Sequence, residues 1–284
     1  RLLKKNNLKL FSNSIKQILN DKSIDLSIIS LILTLPSYKT YQNTLSNYDP
    51  LDLYDIRNRY LIKFYKNLEN DLYNLFKNLL EKFYINSDLK IRSLIKILLE
   101  ALCTIDNNFA KNIAEEFCDS KIMEIKMIGL ISCIKYNHLN SIKLLEKFYS
   151  EFQNDKIVLE KWFQIKSSYN NLYFDGIDSI KDILKNKNFE YKNPNFVRAI
   201  FSSFQGNNIE LFHAKDGSGY KFVTDQIIII DKINPQTAAR IITPMTNISK
   251  FNDITKNRIK RYLKKIINSN PSNDVFEVVS KVLD

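Results

Sequence analysis

Two long polar side chains four residues apart are the first candidates for chemistry. Gln236 and Arg240 lie in the run NPQTAAR at 234–240, and that spacing puts both on one face of a helix. An amide that donates and accepts, beside a guanidinium that donates in a planar fork, can read peptide carbonyls and carboxylates. Ala238, Ile241, Ile242 and Met245 make the opposite, apolar stripe, so the pair points away from the core. An ordinary solvated helix face has the same pattern. Arg198, four residues after Pro194 in NPNFVRAIFSSF, is a third candidate. From spacing alone, an ordinary surface position or an intramolecular salt bridge is the better account of it.

The other reactive residues form no constellation. There are two histidines, His138 and His213, and neither opens an H-E-x-x-H helix. Cys103, Cys118 and Cys133 sit in apolar helical contexts without a C-x-x-C pair, so no zinc-ligand spacing exists. Phosphate-loop, dinucleotide and nucleophile-elbow motifs are absent. The predicted catalytic and metal-binding residues of this chain are therefore none. DGSG at 216–219 starts like a calcium loop but lacks its frame, and reads as a tight connection into a following helix. His213 reads as a hydrogen-bonded structural residue, and Trp162 as core. Lys256, Arg258, Lys260, Arg261, Lys264 and Lys265 read as a solvated face above Ile259, Leu263 and Ile266. A phosphate-binding patch would interleave more aromatics than Tyr262.

These residues have to be positioned by helices. The chain has 284 residues, 44% of them hydrophobic, with five Gly and six Pro. So little punctuation, with apolar residues recurring at helical spacing, predicts an all-α protein. Many helices joined by short loops predict antiparallel pairs stacked as an α-solenoid of HEAT or armadillo type, and no linker divides residues 1–284. Asn193-Pro194 and Asn234-Pro235 carry helix-start grammar, an Asn at the cap and a Pro at the first turn. Ser87-Asp88, Asp106 and Asp175 predict three further starts. A long pattern over 50–84 predicts a break near Glu69-Asn70, and Pro244 predicts a kink. The net charge of +11 comes mostly from Lys scattered among Asn and Ile, and reads as solvated surface. No apolar run is long enough to span a membrane. Unpaired helical cysteines suit reduced thiols in the cytoplasm. The chain opens on Arg1 and reads as a piece of a longer polypeptide.

Several short motifs occur in one order: ILTLPS at 32–37, Asp49-Pro50 followed by Arg57, VLEKWFQIKSS at 158–168, then NPNFVRAIFSSF, FHAKDGSGY and NPQTAAR. Together they resemble the C-terminal helical domain of the bacterial-type aminopeptidase N family. The resemblance implies a zinc exopeptidase that removes N-terminal residues from peptides. It implies that zinc, its ligands and the glutamate base belong to a preceding thermolysin-like catalytic domain, the intramolecular partner of this one. It implies that residues 1–284 are a single helical cap over the catalytic chamber. By motif, Gln236, Arg240 and Arg198 match positions that face the chamber and its peptide substrates. The alternative is a stand-alone HEAT-like scaffold that binds protein or nucleic acid. The upstream sequence discriminates the two, through the presence or absence of H-E-x-x-H.

Overall fold

The computed structural model describes residues 5–85, 88–174 and 176–283. Arg1 and the proposed cap residues Ser87 and Asp175 lie outside the described residues. Among the described residues there are seventeen helices and one isolated parallel bridge, Tyr48 with Phe251, so the fold class is all-α as the apolar spacing predicts. The chain separates into two compact units. One holds the chain up to Tyr41 with Asp55–His138, and the other holds Gln42–Tyr54 with the chain from Leu139 onward.

The first half runs through α1 (Lys5–Asn20), α2 (Leu26–Leu33), α3 (Tyr38–Thr44), α4 (Pro50–Asn67), α5 (Glu69–Ile85), α6 (Leu89–Thr104), α7 (Asn108–Phe117) and α8 (Met123–Lys135). Phe64, Leu68, Leu72, Phe76, Leu94 and Leu98 are fully buried in the core of the first unit. The break between α4 and α5 falls at Leu68, one residue before the expected place. The start of α7 also differs from expectation. Its cap is Asn107, whose side chain accepts from the Ala110 amide at 3.2 Å. Asp106 instead takes a left-handed φ of 64°, a conformation Asp tolerates better than most residues, and turns the chain between helices. Arg57 Nε donates to the Pro36 carbonyl at 3.2 Å, so two of the ordered motifs meet in one structural contact.

The second unit is built from α9 (Ser141–Phe152), α10 (Lys156–Ser168), α11 (Gly176–Ile183), α12 (Pro194–Asn207), α13 (Ile209–Phe212), α14 (Ser218–Asp231), α15 (Pro235–Thr246), α16 (Asp253–Ile267) and α17 (Asn273–Leu283). Helices α10, α12, α15 and α17 pack side by side in that order, and α11, α14 and α16 form a second row. This two-row stacking of helices suits the repeat class that the pattern predicts. Trp162 is buried, packs against Tyr149 at a tilt with ring centroids 4.8 Å apart, and donates its indole N–H to the Leu145 carbonyl at 3.1 Å. It pins α10 to α9. Ile259, Leu263 and Ile266 are buried beneath the basic run of α16. Residues 42–54 belong to this unit through backbone bonds. Tyr48 N donates to the Lys250 carbonyl at 3.2 Å, and Asn252 N donates to the Tyr48 carbonyl at 2.8 Å. Asp49 accepts from the Leu51 amide at 2.9 Å and from the Thr255 hydroxyl at 3.0 Å.

Candidate functional site

The three sequence candidates lie on adjacent helices of one row. Helix α12 starts where Asn193 accepts from the Asn195 amide at 3.0 Å, with Pro194 in the first turn. Phe196, Val197, Ile200, Phe201 and Phe204 turn inward, which leaves Arg198 exposed on the outer face. Its guanidinium folds back on its own helix start. Nε donates to the Pro194 carbonyl at 3.2 Å and a terminal nitrogen donates to Asn195 Oδ1. Arg198 therefore makes local hydrogen bonds and no salt bridge among the described residues.

Helix α15 repeats that grammar. Asn234 accepts from the Thr237 amide at 3.0 Å, and Pro235 opens the helix. Ala238, Ile241, Ile242 and Met245 are buried, as the apolar stripe predicts. Gln236 and Arg240 are exposed, and among the described residues neither side chain has a hydrogen-bond or ion-pair partner. Pro244 lies inside this helix and cannot donate to the carbonyl four residues back. One residue along, Gln205 of α12 donates through Nε2 to the Ile241 carbonyl at 3.0 Å. Because Gln205 is buried, this bond fixes α15 against α12 in the turn that precedes Pro244. No bond joins Arg198, Gln236 and Arg240 to each other.

The glycine-containing connection is structural. Gly217 has φ 78° and precedes α14. At Gly219, a Cβ would stand 2.2 Å from the Leu211 carbonyl oxygen and 2.4 Å from that of Phe212, so only glycine lets α14 approach α13 this closely. His213 is buried between Phe212, Tyr220 and Phe251, with Nδ1 2.6 Å from the Tyr220 hydroxyl. Burial drives its pKa from 6.5 to about 3, and nearby Asp49 opposes the shift only partly. The imidazole is thus a neutral core group. Cys103, Cys118 and Cys133 are free and buried. Among the described residues no group of three or more His, Cys, Asp or Glu is placed to hold a metal ion, and no helix is long and apolar enough to cross a membrane.

A family profile described as "Domain of unknown function (DUF3458_C) ARM repeats" matches residues 4–284. The chain belongs to that family. It is 27% identical over 272 residues to aminopeptidase N of Haemophilus influenzae, a match that covers 95% of this chain and 31% of the relative. It is 30% identical over 178 residues to aminopeptidase N of Caulobacter vibrioides, covering 61% of this chain and 20% of the relative. The crystal structure of Legionella pneumophila aminopeptidase A in complex with aspartic acid superposes with a TM-score of 0.84 at 25% identity, over 99% of this chain and 36% of that one. The chain therefore spans no more than about a third of the length of these relatives. Its kinship is to aminopeptidases, and its helices belong to an ARM-repeat portion of them.

Two features near the candidates were passed over in sequence. Gln205 looks like any polar residue in IFSSFQ, and only the register of α12 against α15 reveals its bond. Glu160 and Gln164 sit in the Trp162 motif on a helical spacing of four, a signal that places both on one face of α10.

Proposed function

We propose that this chain is the C-terminal portion of a zinc aminopeptidase that removes N-terminal residues from peptides. In this reading residues 1–284 act together as the helical cap of a chamber whose catalytic domain precedes them, and the protein works in the cytoplasm. The chain's kinship to aminopeptidases supports the enzyme class. Burial of all three reduced cysteines agrees with the compartment. The zinc of such an enzyme finds no fitting ligand set among the described residues of this chain. Its coordination is left to the catalytic domain, and the role of this chain is to bind and admit substrate.

The observation that carries the reading is the state of Gln236 and Arg240. Both are exposed and unpartnered among the described residues, on a helix held from behind by Gln205 and by its own buried stripe. A guanidinium held on a rigid helix, with no internal bond to break, is ready to take a peptide carbonyl or a terminal carboxylate. Arg198 is assigned the same chamber face, where it must first exchange its bond to Asn195.

Arg240→Ala in the complete enzyme tests this. A hydrogen bond to a charged group contributes about 1.5–3 kcal/mol, so kcat/KM for peptides should fall by about 10- to 100-fold. A small aminoacyl anilide lacks the distal groups and should lose much less. Equal losses on both substrates, or full peptide activity in the folded variant, would refute the assignment.

A further inference from the structure

The row that carries the candidate arginines holds a second polar feature. Between α10 and α12 runs an open groove of about 420 Å³, lined by Glu160 and Gln164 on one side and Arg198, Ser202, Ser203 and Asn207 on the other. The two helices run in the same sense. Phe163, past the middle of α10, packs on Phe196 in the first turn of α12 at 5.1 Å, while Asn207 Nδ2 donates to Ser168 Oγ at 3.1 Å and Asn208 Nδ2 to the Ser167 carbonyl at 3.3 Å near their ends. Ala199 also lines the groove and is buried, and Phe163, Ile200 and Phe204 of the same two helices are fully buried.

Two properties of the walls point to a ligand. First, the side chains of Glu160, Gln164, Ser202 and Ser203 reach solvent and have no hydrogen-bond partner among the described residues, so a ligand can take them without breaking an internal bond. Second, the polar groups recur every four residues, Glu160 to Gln164, Arg198 to Ser202 and Ser203 to Asn207. Four residues of α-helix rise about 6 Å. Two residues of extended chain rise about 6.6 Å. An extended backbone laid along the groove presents an N–H or a C=O toward each wall at the repeat of the wall itself. Glu160 supplies an acceptor, Gln164 both kinds, and the two hydroxyls either kind.

We propose that this groove is a binding site for an extended peptide segment, recognised through its backbone and not through its side chains. It deepens the reading of the chain as a substrate-binding portion of a peptidase, since it would hold residues well removed from the scissile bond. Because backbone groups are common to all peptides, the site is tolerant of sequence, which suits an enzyme that processes mixed substrates.

The test uses the complete protein and an N-acetylated, fluorescein-labelled decapeptide of Ala, Ser and Thr, read by fluorescence anisotropy. The blocked terminus makes the reading independent of hydrolysis, and cleavage of an unblocked peptide, followed in parallel, reports on the aminopeptidase assignment separately. Ser202→Phe fills the groove from an exposed position and should weaken binding at least tenfold with an unchanged thermal melt. Gln164→Ala removes one wall group and should weaken it about threefold to tenfold. N-methylation of two alternate peptide amides should weaken it to a similar extent, and shuffling the peptide sequence should not. Unaltered binding in both variants, loss on Arg240→Ala with none on Ser202→Phe, or absence of binding to the wild type at millimolar peptide would each overturn the proposal.

Discussion

Acidification should loosen the second unit through His213. In the fold its imidazole has a pKa near 3, because burial excludes the charged form, whereas the unfolded chain returns it to about 6.5. Between these values the unfolded state binds a proton that the native state does not, so stability is complete above pH 6.5 and falls as the pH drops toward 3. The slope approaches about 1.4 kcal/mol per pH unit, and from pH 7 to pH 5 the loss comes to about 2 kcal/mol. The groups around the ring do not cancel this. The Tyr220 hydroxyl is pushed upward by burial and stays protonated. Burial alone would raise the Asp49 carboxyl, but bonds from the Asp52 amide, the Thr255 hydroxyl and the Leu51 amide hold it below its ordinary value, so it too stabilises the fold only while ionised. The assay is equilibrium urea unfolding at pH 7, 6 and 5 for the wild type and for His213→Gln, which keeps an acceptor for Tyr220 without a titrating ring. The variant should be weaker at pH 7 but should lose about 2 kcal/mol less on going to pH 5. Equal losses in the two proteins would refute the neutral, desolvated histidine.

Other outcomes follow from packing. Trp162→Ala should destabilise the second unit by about 3–5 kcal/mol, the range for losing a large core aromatic, with calorimetry as the check; Trp162→Phe should cost less, chiefly the stranded Leu145 carbonyl. Gly219→Ala should destabilise by about 1–3 kcal/mol, because the new methyl meets two backbone oxygens that cannot rotate away. Gly206→Ala should do the opposite. Nothing lies within 4 Å of its added Cβ, so the variant should gain about 0.4–1 kcal/mol, read from the shift in urea midpoint.

What the sequence disclosed and what it hid divide along physical lines. The Asn-Pro starts of α12 and α15, the buried stripe of α15 and the exposure of Gln236 and Arg240 follow from local capping and the period of a helix, and they were legible. The cap of α7 is ambiguous in sequence because Asp106 and Asn107 are both good cap residues, and only the backbone decides which of the two takes the left-handed turn. The one-turn helix α13 is too short to carry a period. Gln205, and the facing of Glu160 and Gln164 with Ser202 and Ser203, depend on the register between helices that lie about forty residues apart in the chain, and no local rule supplies that register.

The bridge at Tyr48 has a consequence for how the molecule is made. Asp49 waits for a hydroxyl 206 residues further along the chain, and Tyr48 for backbone groups almost as distant. At about 5–20 residues per second of synthesis, residues 42–54 stay without these partners for roughly 10–40 s after they are added to the chain. The strip that closes the second unit is thus translated ahead of α9 to α17 and is among the last parts of that unit to be seated, and a chaperone that shields this stretch during that interval would act on assembly without touching the finished fold.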